Sequence, residues 1–209
     1  MYRPYRLVAG LCLLSACPVF ADVLFGVSVD TSTISGTIGF LDFQFNPGPL
    51  GSQSAFADIL NFSGGTLMGP PAITGDVTGA LPGIVSLNND TLFNDYFQQF
   101  KFGPAITFGL LLGGPALNNP GGFASGSTFG FGMFDATGTQ PLLTSDPNGF
   151  TFTIDVNLDG TTTVLNSSTG NPQVAHITPE PEPAPLVLLF TVLAMLGVVA
   201  ALRKAPQRS

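Results

Sequence analysis

Short runs in which large apolar residues alternate with small or polar ones constrain this chain more than anything else in it. In Phe150-Thr151-Phe152-Thr153-Ile154-Asp155-Val156, the residues Phe150, Phe152, Ile154 and Val156 fall on one face of an extended strand. The same period of two recurs from Ile106 to Leu112 and from Thr128 to Met133. From Ile34 to Phe45 the alternation changes phase around Phe40 to Asp42, as a β-bulge there would make it do. Gly, Asn, Asp and Pro clusters separate the runs and read as turns. The spacing of Leu92, Phe93, Tyr96 and Phe97 predicts a single helical turn over Thr91 to Gln99. No fixed-period repeat is evident, which argues against a solenoid or propeller. The expectation is an all-β domain, an antiparallel β-sandwich of jelly-roll-like form.

Composition reinforces this where it matters. Residues 22–178 hold eleven Asp, no Glu, no Arg and one Lys, Lys101, a net charge of −10 with His176 neutral. The residues that usually cover helix surfaces are therefore missing. Nucleic-acid binding is excluded on the same ground, because nothing could neutralise phosphates. Both cysteines, Cys12 and Cys17, precede residue 22, so the domain depends on its core and not on disulfides.

The two ends of the chain read as signals. Residues 1–21 have a basic start (Arg3, Arg6), an apolar stretch from Leu7 to Ala16, and Val19-Phe20-Ala21 as a signal-peptidase site, giving Asp22 as the mature start. Leu14-Ser15-Ala16-Cys17 also fits a lipobox in which Cys17 would be lipidated, although Pro18 is an awkward neighbour. At the other end, Leu186 to Leu202 is a charge-free run of seventeen residues. As a helix it would span about 25 Å, against ~30 Å of hydrocarbon, and it is expected to cross a membrane. Arg203 and Lys204 form a basic stop, so residues 203–209 are expected on the cytoplasmic side and the body of the chain outside. Residues 166–185, rich in Ser, Thr, Asn and Pro, are expected to be a linker, leaving 22–165 as the sandwich.

The order Pro181-Glu182-Pro183, apolar helix, basic end resembles the PEP-CTERM sorting signal of exported bacterial proteins. That resemblance implies transient residence in the inner membrane, recognition of the motif by an exosortase, and delivery to the cell surface or the extracellular matrix of a biofilm. The body is similar to a β-rich group of PEP-CTERM proteins whose function is unassigned. The segments that carry this likeness are Phe25 to Thr31, Gly39 to Asn46, Gly75 to Gly79, Phe93 to Phe97, Leu142 to Pro147 and Asp155 to Thr163. It implies no catalytic residue.

Candidate sites are few. Asp155, Asn157 and Asp159 before Gly160 match the start of a calcium loop, but position twelve is Asn166 where a bidentate Glu is wanted. A hairpin turn at Asn157-Leu158-Asp159-Gly160 explains the same residues more simply. His176 is the only histidine and reads as an exposed linker residue. Acidic pairs such as Asp42 with Asp58, or Asp90 with Asp95, are the raw material of a glycan hydrolase, whose two carboxyls need a defined separation. The absence of Trp, and Tyr96 as the domain's one Tyr, weigh against sugar stacking. The Gly113-Gly114-Pro115 and Pro120-Gly121-Gly122 stretches read as loops, since no Lys and no helix follow to cradle phosphate. The leading expectation is a non-enzymatic surface or matrix protein without a cofactor. An exopolysaccharide-binding module is the alternative, and a matrix glycan hydrolase comes third.

Overall fold

The structure is a computed structural model and describes residues 22–180. The expected leader with Cys17, the Pro181-Glu182-Pro183 motif, the apolar run 186–202 and the expected Arg203-Lys204 stop lie outside the described residues. Among the described residues no helix is long and apolar enough to cross a membrane.

Two antiparallel sheets pack face to face. In chain order the strands are β1 (Val23–Asp30), β2 (Ile38–Pro47), β3 (Phe56–Ser63), β4 (Thr66–Leu67), β5 (Ala72–Thr74), β6 (Val77–Gly79), β7 (Val85–Asn88), β8 (Asp95–Lys101), β9 (Ala105–Gly113), β10 (Ser127–Phe134), β11 (Phe150–Val156), β12 (Thr162–Asn166) and β13 (Ala175–Pro179). One short helix, α1 (Pro115–Asn118), follows β9 directly after Gly113-Gly114, where the sequence predicts only a loop; at four residues it is a single turn. Sheet one has the order β13-β1-β9-β3-β7-β6. Sheet two has the order β12-β11-β10-β2-β8-β4, with β5 also pairing β8.

The core is the product of the alternation. Sheet one contributes Phe25, Val27, Val29, Ile59, Ile106, Phe108, Leu110 and Leu112 from alternate positions, all buried. Sheet two contributes Leu41, Phe43, Phe45, Phe129, Phe131, Met133, Phe152 and Ile154. Phe43 joins the layers, with ring centroids 5.5 Å from Phe108 and 5.0 Å from Phe131. Edge-to-face and tilted ring contacts of this kind add to plain apolar burial.

Four further expectations are corrected. β2 runs without a bulge, pairing continuously from Phe40 to Pro47 with β10 and from Ile38 to Gln44 with β8. Its change of phase arises because both faces are covered: Phe40 stacks on Phe97 across the outer face at 4.6 Å. The register shift lies instead between β10 and β11 at Phe131/Gly132. It leaves Thr151 as the extra residue and turns Phe150 off the core face, so that its ring lies over Gly130. A side chain at Gly130 would have its Cβ 2.5 Å from that ring. Thr91 to Gln99 forms no helical turn, because Tyr96, Gln98 and Phe100 alternate into the interior as part of β8. Finally, residues 166–179 are not a linker. Ala175 to Pro179 pairs with β1 as the edge strand of sheet one, and the sandwich extends to Pro179. Its polar composition suits an edge, where one face and one side of the strand meet water.

Candidate functional site

The β2–β8 register sets Asp42 opposite Phe97 and Gln44 opposite Asp95, which brings Asp42 and Asp95 side by side on the outer face of sheet two. Asp42 is only 5% exposed. Its Oδ2 accepts a hydrogen bond from Gln44 Nε2 at 2.9 Å, and Gln44 Oε1 in turn accepts one from Asn46 Nδ2 at 3.1 Å. Oδ1 of Asp42 and Oδ1 of Asp95 are buried with no other donor. The two carboxyl groups approach closely enough to hydrogen-bond each other, which requires one proton between them. Burial pushes Asp42 up to about 8, reinforced by the hydrogen bond to Asp95 and its charge. Burial also raises Asp95. Two carboxyls in one partly dry site do not both ionise, so Asp42 holds the proton near neutral pH and donates it to Asp95.

Phe40, Phe97 and Phe134 flank the pair on the same face, with Phe97 and Phe134 centroids 6.1 Å apart. The sequence singled out Asp42 and Asp95, each with a different partner. Asp58 lies on β3 in the other sheet and Asp90 is exposed in the loop before β8.

The three residues of the calcium-like motif do not converge. Asp155 sits on the outer face of β11 and its Oδ1 accepts from Thr128 Oγ1 at 2.6 Å. Asn157 Nδ2 donates to the hydroxyls of Thr161 and Thr163. Asp159 Oδ1 accepts from Thr161 N at 3.0 Å and Thr161 Oγ1 at 2.6 Å, and the Thr161 hydroxyl holds its carboxyl below the usual range. Asn157 N donates to Thr161 O, closing a hairpin, and Gly160 takes the positive φ of 80° that the turn needs. Asn166 lies at the far end of β12, opposite Phe152. Among the described residues no three His, Cys, Asp or Glu side chains are grouped to hold a metal.

A second concave region lies on the outer face of sheet one. Gly26 and Gly109 pair across β1 and β9 and form the floor of a groove of about 450 Å³. Ser28, Asn61, Thr107, His176, Thr178 and the carboxylate of Glu180 line it. His176 stands on β13 opposite Ser28, exposed at the groove and not on a linker.

Sequence reading did not find the buried amides that fix the loops. Asn94 is fully buried; its Nδ2 donates to Phe45 O and Thr91 O, both at 2.9 Å, while Oδ1 accepts from Asp76 N at 2.8 Å. Asn89 likewise accepts from Ala55 N at 2.8 Å and donates to Gln53 O at 2.7 Å and Ser127 Oγ at 2.8 Å. The available signal was an Asn at each end of a short segment between two apolar strands, in a place where Asn commonly closes local turns. No family model, no curated protein and no solved structure matches this chain.

Proposed function

We propose that this is a non-enzymatic exported protein, delivered by its leader and its PEP-CTERM-like tail, whose jelly-roll-like sandwich works at the cell surface or in the extracellular matrix. One observation carries the reading: the folded unit fills the interval between the two signals. β1 starts at Val23, directly after the expected leader cut, and Glu180 N still donates to Leu24 O, one residue before Pro181. A motif that abuts a closed domain is accessible to a membrane protease without unfolding the domain. The acidic surface keeps copies soluble and apart, and divalent cations would bridge it to anionic polysaccharide.

The test is fractionation of an exosortase-bearing host expressing the full chain. The parent protein is expected outside the cell, shortened by the loss of its apolar tail. The doubly substituted Pro181→Ala/Pro183→Ala chain is expected in the membrane with the tail intact. A parent protein that keeps its tail, or that stays in the cytoplasm, overturns the proposal.

Polysaccharide binding is the second reading, favoured by the groove over Gly26 and Gly109 with its hydroxyl, amide, imidazole and carboxylate lining. Gly109 has room above it, since an added Cβ would meet nothing closer than 3.5 Å. Gly109→Leu should therefore fold and fill the groove. Saturable retention of the parent by purified exopolysaccharide, lost in Gly109→Leu, would establish binding there; equal retention of both proteins would remove this reading.

A further inference from the structure

The antiparallel registers place Val23, Gly113, Phe56 and Asn88 of sheet one at the same end of the sandwich. Pro47, Ser127, Val156 and Thr162 mark that end in sheet two. Hydrogen bonds tie the two sheets together there: Asn89 bridges Ala55 to Ser127, and Asp22 Oδ1 accepts from Asn118 Nδ2 at 3.0 Å. The chain enters at this end through Asp22 and leaves it through Glu180.

Each of four loops at this end exposes a large apolar side chain. They are Leu50 between β2 and β3, Leu92 with Phe93 between β7 and β8, Phe123 between β9 and β10, and Leu158 between β11 and β12. Leu92 is 84% exposed and Leu50 74%. The loops adjoin one another: Leu50 N donates to Ser125 Oγ, Phe123 and Leu158 line one cleft, and Asn89 joins its loop to Gln53 and Ala55. Buried Asn89 and Asn94 fix the loop that carries Leu92 and Phe93, and Asn89 also ties it to the β2–β3 loop at Gln53 and Ala55. No Lys or Arg lies in these loops, whereas Asp90 and Asp159 do.

We propose that this apolar rim docks on a lipid bilayer surface while the tail is attached, with zwitterionic headgroups preferred over anionic ones. The inference rests on the reading of residues 186–202 as a membrane-crossing segment. Only Pro181 to Pro185 separate the last described residue from that run, a reach of about 18 Å at full extension. A tether this short, leaving from the apolar end, brings that end to the interface. Leu and Phe side chains at loop tips gain by entering the headgroup–acyl boundary, and the missing basic residues leave anionic lipid without a partner.

The experiment uses the full-length chain with Cys12 and Cys17 replaced by Ser, reconstituted into phosphatidylcholine–phosphatidylethanolamine vesicles. Single-cysteine variants L92C, L158C and, beyond the far end of β7 from these loops, I84C each carry an environment-sensitive fluorophore; Ile84 is exposed in the parent. Probes at 92 and 158 are expected to shift to the blue and to lose about half of their emission to a nitroxide placed ~5–10 Å deep in the lipid. The probe at 84 should show neither effect. If the protein floats with the vesicles but all three probes stay in water, docking is overturned and the anchor stands. If the protein does not float with them, the membrane reading of the tail fails, and docking with it. A blue shift that grows with protein density without lipid quenching would assign the rim to a second copy instead.

Discussion

Replacing Asn94 by Ala lowers the stability of the sandwich by about 3–4 kcal/mol, the sum expected when several buried backbone groups lose their partners at ~1–3 kcal/mol each. The substitution would leave Phe45 O and Thr91 O without the amide donor and Asp76 N without its acceptor. The hydrogen bond from the backbone N–H of residue 94 to Asn46 Oδ1, 2.7 Å in the parent, would survive, so the loop should loosen before β8 does. For a domain of this size 1 kcal/mol corresponds to ~2–4 °C, so the melting temperature should fall by about 10 °C. Asn148→Ala, in an exposed turn, is the control and should stay within ~0.5 kcal/mol of the parent. Thermal unfolding read by circular dichroism decides it, and limited proteolysis should cut first within residues 89–94. A loss below about 1 kcal/mol would mean that water replaces the amide and that the loop is not clamped from within.

The strands that the sequence revealed are those with one clean face. β9 alternates Ile106, Phe108, Leu110 and Leu112 inward against Thr107, Gly109 and Leu111, and β10 sets Phe129, Phe131 and Met133 against glycines and Thr128. The Asn157 to Gly160 turn was legible for local reasons: its Asn, Asp and Gly each make the bond or take the φ for which turns select them. Elsewhere the outer face of sheet two also carries Phe. Phe40, Phe97 and Phe134 cover one another there, so β2 and the start of β8 looked out of phase with a single buried face, whereas Phe150 looked in phase and is turned outward over Gly130 by the register shift. Gly130 and Gly132 held the missing hint, because side chains absent from the centre of a sheet leave room for rings from its neighbours. β13 escaped notice because an edge strand needs little apolar content. Asp42 and Asp95 were both visible as candidates, but their pairing depends on a register between strands about fifty residues apart, which no local pattern encodes.

That pairing also sets how the protein responds to pH. In the unfolded chain both carboxyls release their protons near pH 4. In the folded chain Asp42 keeps its proton up to about 8, because burial and the neighbouring Asp95 disfavour a second negative charge. Between these values the native state binds more protons than the unfolded state, so stability is highest at the acid side of the window and falls as pH rises from about 4 to about 8. The ordinary behaviour of salt-bridged carboxylates is the reverse, and the composition explains the difference. Lys101, the one Lys or Arg among the described residues, lies on the outer end of β8 opposite Ile38, four residues from Phe97 and so roughly 13 Å along the strand from the pair. With no cation beside it among the described residues, the Gln44 amide and a proton are what offset the charge of Asp42. Asp42→Asn puts a neutral amide in that position, able to donate to Asp95 at any pH. The variant is expected to be more stable than the parent by about 2 kcal/mol at pH 8, or ~4–8 °C, and nearly equal to it at pH 4. Melting temperatures of both proteins at half-unit steps from pH 4 to 8.5 read this directly: the parent should slope downward and Asp42→Asn should be close to flat. If both slope alike, the shared proton is not what couples folding to pH, and the two carboxylates must be separated by water. A parent that becomes more stable with rising pH would give the pair the wrong sign altogether.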